Sequence, residues 1–222
     1  MKINRERVLT FYDKRRLWPP GTGSPVSAIT GVIGEDLVLG LLCRHLNGKI
    51  LSYGCKPEGS IGRRLDAWVS AGRKLYQVEV KNWCAHSMGG RTVPDDTPGV
   101  RKIAESNLKD FLTQPRNLEA IWKILGPMKP PASVGKANPI PLLALWAPVA
   151  SPNRRSSSPP FWFDCNLSDY QGVIPKQYRK VAHRKIHIFS ASLYLRSLQS
   201  KVINLPMPRA EERIKCLQTL FG

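Results

Sequence analysis

Acidic residues are scarce in this 222-residue chain, which has 16 Asp and Glu against 34 Lys and Arg. The formal net charge is therefore +18, and the isoelectric point lies near 10.1. An excess this large goes beyond what solubility requires, and it predicts a polyanionic partner with nucleic acid as the first candidate. An anionic membrane surface and a merely basic exterior are the alternatives.

Paired cysteines and long apolar runs are missing as well. The five cysteines include no CxxC pair and no histidine at metal-ligand spacing, which argues against a disulfide framework or a thiolate zinc site. The first residues have no apolar core typical of a signal peptide, and the longest apolar run, 142–150, is too short to span a bilayer. These absences predict a reduced, soluble, cytoplasmic protein without a membrane partner.

The remaining composition is that of a globular protein, with 42% hydrophobic residues. Helical periodicity predicts segments 30–46, 99–125, 190–199 and 208–221, the first of them ending at Asn47-Gly48. Apolar runs predict strands at 49–54, 64–71, 74–82, 141–149 and 185–189, and the run at 141–149 is typical of a strand buried on both faces. We expect an α/β fold, with a basic N-terminal arm over residues 1–28 and one domain over residues 29–222.

Residues 64–82 carry two carboxylates where a buried strand would have apolar side chains. Two strands joined by Gly72-Arg73 fit this segment, because glycine at the first central position suits a type II′ hairpin turn. In that register Asp66 lies directly opposite Glu79. Alternation predicts a mixed face of Asp66, Trp68, Gln77, Glu79 and Lys81, and an apolar face of Leu65, Ala67, Val69, Tyr76, Val78 and Val80.

Facing carboxylates require compensation, since like charges directly opposite each other on a sheet are destabilising. A proton or a cation between them removes the conflict. Mg²⁺ accepts oxygen ligands from a few carboxylates and keeps several waters. Lys81 points to the same side, where its ammonium group can hold such a water. The alternative is an exposed hairpin face with ordinary solvated charges.

A third acid, Glu35, lies on the first predicted helix. It is in line with Leu39, Leu42 and Leu46 on a face expected to be buried, where an unpaired carboxylate is costly. We interpret Glu35 as part of the same site, and the alternative is a first-turn glutamate that interacts with the helix dipole. Its neighbour Asp36 points about a quarter turn away, which is typical of a solvated acid.

Glu35 on a helix, Asp66 on a strand and Glu79-x-Lys81 on the next strand form an ordered set. This set resembles the PD-(D/E)xK nuclease superfamily, which has the restriction-endonuclease-like fold. The run GVIGE, followed by a helix, a short strand, D and then E-V-K, is most similar to the archaeal Holliday junction resolvases and related nucleases. The resemblance covers roughly residues 30–83 of the 222, and Leu65 stands where the family name has proline.

The resemblance implies a restriction-endonuclease-like core, a central mixed β-sheet flanked by helices. It implies that Asp66, Glu79 and the Val80 backbone carbonyl bind Mg²⁺, for which Mn²⁺ substitutes, with Glu35 as an outer or second ligand. Lys81 would orient or activate the attacking water. The implied activity is metal-dependent hydrolysis of phosphodiester bonds in DNA, in recombination, repair or defence against foreign DNA. A homodimer is also implied, because many relatives are two-fold dimers.

Two basic segments are candidates for contacting phosphates, a mode of binding that weakens steeply with salt. One flanks the hairpin and the other runs through 175–185. The candidate residues are Arg63, Arg64, Arg73, Lys74, Lys176, Arg179, Lys180, Arg184 and Lys185. A solvated charge run is the alternative for both segments.

Two other functions stay open at this point. The same metal site could act on RNA, for example on tRNA. The chain could also be a nucleic-acid-binding or assembly module that keeps the fold without turnover.

Overall fold

The computed structural model describes residues 1–14, 23–54, 65–82, 92–113, 121, 124–125, 130, 138–151, 159–166 and 185–221. The described strands are β1 (Lys2–Asn4), β2 (Lys49–Tyr53), β3 (Ala67–Ala71), β4 (Lys74–Lys81), β5 (Pro139–Leu145), β6 (Trp162–Asn166), β7 (Lys185–Ser190) and β8 (Val202–Asn204). The described helices are α1 (Arg5–Asp13), α2 (Gly23–Leu46), α3 (Thr97–Thr113), α4 (Ala191–Ser197) and α5 (Pro208–Phe221). The strands β1, β6 and β8 are absent from the sequence prediction.

A six-stranded mixed sheet forms the centre of the fold, in the order β2-β3-β4-β5-β7-β6. Strands β2, β3 and β4 make an antiparallel meander, β4, β5 and β7 run parallel, and β6 lies antiparallel to β7 at one edge. The predicted α/β class, with a mixed sheet flanked by helices, is confirmed at this level.

Apolar side chains cover both faces of this sheet. On one side Leu42 of α2 belongs to the same buried cluster as Ala144 of β5. On the other side Phe111 of α3 belongs to the same buried cluster as Leu143. Burying a leucine or phenylalanine side chain contributes roughly 1.5–3 kcal/mol. The prediction of a strand with two buried faces is therefore confirmed, although β5 ends at Leu145 rather than at residue 149.

The β3–β4 hairpin has the predicted turn and register. Ala71 pairs with Lys74, and Val69 pairs with Tyr76. Gly72 has a φ of 57°, as the first central residue of a type II′ turn requires. The short turn therefore sets which residues of the two strands face each other.

One face assignment in this hairpin is wrong. Leu65 packs in the cluster that contains Trp68, not in the cluster that contains Ala67 and Val69. The reason is that β3 begins only at Ala67, and strand alternation does not fix the direction of a side chain that precedes the strand.

Helix α2 ends where the sequence predicts. Asn47 has a φ of 49°, so it takes the left-handed position that commonly follows a helix. The Gly48 N–H donates to the Cys43 carbonyl at 2.8 Å, and the Asn47 N–H donates to the Arg44 carbonyl at 3.4 Å. These two bonds make a Schellman motif, which directs the chain straight into β2.

The first fourteen residues, assigned above to a basic arm, pack against the rest of the fold. Strand β1 pairs antiparallel with β8, and the Arg5 N–H donates to the Lys201 carbonyl at 2.9 Å. Tyr12 of α1 packs against Trp146, with ring centroids 4.6 Å apart. Helix α2 in turn runs without interruption across the expected boundary at residues 28 and 29.

A buried aspartate joins α1 to the carboxyl ends of the central strands. Asp13 accepts hydrogen bonds from the Trp146 indole at 3.0 Å, the Ser192 hydroxyl at 3.0 Å and the Arg196 guanidinium at 2.7 Å. Burial raises the pKa of Asp13, and the charge of Arg196 opposes that rise. These contacts satisfy a carboxylate that would otherwise be costly to bury.

Within the described residues, no helix has both the length and the apolar character that crossing a membrane would require.

Candidate functional site

The candidate site lies where β4 ends. Its last residue, Lys81, accepts a backbone hydrogen bond at 3.0 Å from Trp146, the first residue after β5. Strands β4 and β5 are parallel, so their carboxyl ends lie at the same edge of the sheet. Ligands in open α/β sheets bind in the crevice outside such strand ends.

Glu79 and Lys81 form an ion pair at this edge. The Lys81 Nζ lies 3.0 Å from Glu79 Oε1, and the side chain of Glu79 is 0% exposed while that of Lys81 is 37% exposed. The alternative of an exposed hairpin face is therefore wrong for Glu79. A buried carboxylate with a half-exposed ammonium group beside it presents positive charge to whatever enters the crevice.

The side chain of Asp66 binds the backbone of the same strand, β4. Its Oδ2 accepts the Val80 N–H at 2.7 Å. If the β3–β4 pairing continued, Leu65 would lie opposite Val80. The Asp66 side chain replaces the backbone pairing at this position. The N–H and C=O of one strand residue leave on the same side, so the Val80 carbonyl also faces the Asp66 side.

Glu35 reaches the site from α2. Gly34 lies so close to Asn82, the residue after β4, that a Cβ at position 34 would overlap the Asn82 side chain. Burial raises the pKa of the Glu35 carboxyl, and the negative charge of Asp66 raises it further. Lys81 acts in the opposite direction. The charges of Asp66 and Lys81 thus both act on Glu35, and its membership of the site stays a prediction.

Asp36 is not the solvated acid that its helical position suggests. It is 2% exposed, and its Oδ2 accepts a hydrogen bond from Arg213 of α5 at 2.7 Å. A second arginine of α5, Arg209, has its Nε 3.9 Å from Asp36 Oδ1. Burial raises the pKa of Asp36, and both arginines oppose that rise. The helical wheel failed here because α5, distant in sequence, covers this side of α2.

Most of the predicted phosphate-contacting residues lie outside the described residues: Arg63, Arg64, Lys176, Arg179, Lys180 and Arg184. The three that are described do not lie at the site. Arg73 and Lys74 are exposed at the hairpin turn, at the opposite end of the eight-residue strand β4, about 23 Å from Lys81 along the strand. Lys185 begins β7 and forms an ion pair with Asp164.

The donor set fits a hard cation better than a soft one, since it consists of carboxylate and carbonyl oxygens. Within the part of the chain that the structure describes, no group of three or more His, Cys, Asp or Glu side chains is placed to hold a metal ion. Metal binding by Asp66, Glu79 and the Val80 carbonyl, with Glu35 as an outer or second ligand, therefore stays a prediction.

Comparison of the chain with protein families, with curated proteins and with solved structures found no match. A function for this protein therefore has to follow from the chemistry of its own residues.

Proposed function

We propose that this protein is a metal-dependent nuclease of the PD-(D/E)xK superfamily, with a restriction-endonuclease-like core, and that it hydrolyses phosphodiester bonds of DNA. One observation carries the proposal. A fully buried Glu79 carboxylate lies 3.0 Å from the half-exposed Lys81 ammonium at the end of a central strand. Asp66 binds the backbone N–H of the residue between them.

The order of elements supports this proposal. Helix α2 carries Glu35 and leads into the antiparallel meander β2–β3–β4, which carries Asp66 before β3 and Glu79 near the end of β4. After α3, strand β5 lies parallel to β4. This is the order of acids and elements that the superfamily resemblance implies.

The proposed role of each residue follows from how exposed its side chain is. Asp66 and Glu79 would hold a Mg²⁺ ion together with the Val80 carbonyl. When bound, Mg²⁺ stabilises negative charge on the phosphoryl oxygens and lowers the pKa of a bound water. Lys81 is rigidly placed by Glu79 and keeps N–H groups that can orient the attacking water or contact the phosphate. Partly buried Glu35 would hold a further water of the site.

The charge balance supports a nucleic-acid substrate. A formal net charge of +18 is suited to a phosphate backbone and predicts binding that weakens steeply with salt. DNA is proposed as the substrate, because the resemblance is to DNA endonucleases. RNA cleavage by the same residues is the second candidate function, and it is favoured by the same charge.

The test is a substrate panel with the purified full chain. Supercoiled plasmid, a branched DNA junction and total tRNA are incubated with Mg²⁺, with Mn²⁺ and with chelator. Glu79→Gln and Lys81→Met should abolish cleavage and leave binding of the same DNA largely intact. Lys215→Met is the matched control, because Lys215 is an exposed lysine on α5.

Each result has a clear reading. Metal-dependent DNA cleavage that disappears in both site variants supports the proposal. Cleavage of tRNA alone would favour the RNA nuclease, and tight binding without cleavage of any substrate would favour the non-catalytic module. Cleavage that survives in Glu79→Gln would refute the assigned site.

A further inference from the structure

We propose that Arg209, at the start of α5, is a phosphate-binding residue of the candidate site and contacts the backbone of the nucleic acid being cleaved. This inference rests on the proposed nuclease function and adds a substrate contact that the sequence patterns did not indicate.

Arg209 is held in a defined orientation by an aromatic ring. Its guanidinium carbon lies 4.8 Å from the centroid of the Tyr53 ring, the geometry of a cation–π contact. Burial raises the pKa of Tyr53 to about 12, so the phenol stays neutral. The Arg209 side chain is nevertheless 34% exposed. The guanidinium is therefore oriented and still accessible from solvent.

Arg209 does not make the short ion pair at Asp36. The nearby carboxylate, Asp36, makes its short hydrogen bond to Arg213 at 2.7 Å, whereas Arg209 Nε stays 3.9 Å away. Positions 209 and 213 are one helical turn apart and lie on the same face of α5. Two guanidinium groups thus lie near one buried carboxylate, and Arg209 is the more distant of the two.

The strand that carries Tyr53 runs beside Asp66. Tyr53 is the last residue of β2 and pairs with Ala67, the residue after Asp66. The Gly54 N–H donates to the Asp66 carbonyl at 3.1 Å. The end of β2 that carries Tyr53 therefore lies beside the Asp66 backbone, and Arg209 is attached there through the Tyr53 ring.

Glu35 connects Arg209 with Lys81. The positive charges of both residues lower the pKa of the Glu35 carboxyl, against the effect of burial. Arg209 on α5 and Lys81 on β4 thus act electrostatically on the same acid from different elements of the fold. A phosphodiester in the crevice would meet one cation from each element.

Arginine suits this role better than lysine. While its guanidinium carbon lies 4.8 Å from the Tyr53 ring centroid, its planar fork of N–H groups can bind two phosphate oxygens, which the ammonium group of lysine cannot do. The described basic residues from the sequence prediction cannot replace it, because Arg73 and Lys74 lie at the far end of β4.

The experiment measures binding and cleavage separately. Binding of a labelled DNA duplex is measured by fluorescence anisotropy over a series of salt concentrations, with Ca²⁺ in place of Mg²⁺. The same duplex is then cleaved with Mg²⁺ under single-turnover conditions. The variants are Arg209→Gln and Arg209→Lys, with Lys215→Gln as the control on a different face of the same helix.

Arg209→Gln should weaken binding by about three- to tenfold for all DNA sequences, and it should reduce the slope of log K against log salt by about 1. Arg209→Lys should recover the salt slope, because that slope depends on charge. It should recover only part of the affinity, because lysine lacks the planar fork of N–H groups of the guanidinium. Lys215→Gln should leave the affinity, and hence the midpoint of the anisotropy titration, close to that of wild type.

Two results would overturn the inference. If wild type cleaves DNA and Arg209→Gln matches it in affinity and salt slope, Arg209 is no phosphate contact, while the nuclease proposal stands. If Arg209→Gln only lowers the unfolding temperature, and binding is normal where the variant is folded, its role is to attach α5 to α2. A wild type that neither binds nor cleaves nucleic acid would refute the nuclease function itself, and the inference with it.

Discussion

Replacing Lys81 by methionine tests the charge arrangement of the site directly. Methionine preserves most of the aliphatic length and packing of the lysine side chain, and it removes the ammonium group 3.0 Å from Glu79 Oε1. The Glu79 carboxylate, which is fully buried, then loses this ion pair. We expect a loss of stability that a divalent cation restores.

The size of the loss follows from the geometry. Two unit charges 3.0 Å apart attract each other by about 5.5 kcal/mol at an effective dielectric constant of about 20. Removing one partner of a fully buried pair costs roughly 3–5 kcal/mol, and an exposed pair contributes only about 0–1 kcal/mol. Lys81 is 37% exposed, so solvent screening places the expected cost near ~2 kcal/mol. For a domain of this size that lowers the unfolding temperature by roughly 4–8 °C.

A bound metal should compensate for the lost ammonium group. At a Mn²⁺ concentration of about 100 times Kd, binding to the folded state adds about 2.7 kcal/mol. We expect Mn²⁺ to raise the unfolding temperature of wild type and of Lys81→Met, and to have little effect on Glu79→Gln. The assay is thermal unfolding with Mn²⁺ and with chelator, and Lys215→Met is the control for a change at an exposed lysine.

Two outcomes would refute this reasoning. If Lys81→Met unfolds at the wild-type temperature, the ammonium group does not stabilise the buried carboxylate. If Mn²⁺ stabilises wild type and Glu79→Gln equally, the metal binds elsewhere and Glu79 is not a ligand.

Three further predictions concern stability. Asn47→Ala should cost about 1–2 kcal/mol by thermal unfolding, because alanine disfavours the left-handed position, whereas Asn47→Gly should be close to neutral; equal stability of both would contradict the helix-end assignment. Gly34→Ala should destabilise the wild type, because the added Cβ overlaps the Asn82 side chain. In an Asn82→Gly background the same change should be stabilising by up to about 1 kcal/mol through helix propensity. A double-mutant cycle of unfolding free energies, measured in urea, tests this change of sign. Burial lowers the pKa of His45 below its unfolded value of about 6.5, so the unfolded state binds more protons and stability falls as pH drops below that value. His45→Phe should flatten this dependence between about pH 7.5 and 5 in urea unfolding. His187, whose pKa burial also lowers, contributes in the same direction, and an unchanged slope would exclude His45 as a source.

Local patterns were sufficient wherever local geometry sets the structure. The end of α2 at Asn47-Gly48 and the hairpin turn at Gly72-Arg73 were predicted correctly, because both depend on a few consecutive residues. The same register predicts Asp66 opposite Glu79, and in the structure the Asp66 carboxylate accepts the N–H of the next residue, Val80. The assignment of Leu65 failed because it lies just outside the strand whose alternation was used.

Long-range contacts were beyond the reach of sequence patterns. Asp36 looked solvated because nothing within α2 indicates that α5, more than 170 positions later, covers it. A role for Arg209 could not be predicted from the sequence, because a single arginine at the start of an amphipathic helix has no local signature. The homodimer and the cytoplasmic location stay predictions.

The sequence by itself determined the chemistry of the site, an acid before one strand and an acid and a lysine on the next, because strand alternation and turn geometry act over a few residues. Only the tertiary structure decided which of those groups are buried and which side chains they contact. Burial of Glu79 requires β5 and the α3 side of the sheet, and the position of Arg209 requires α5 to return to α2. Desolvation and charge pairing depend on what lies nearby in space, and that is fixed only when distant segments pack together.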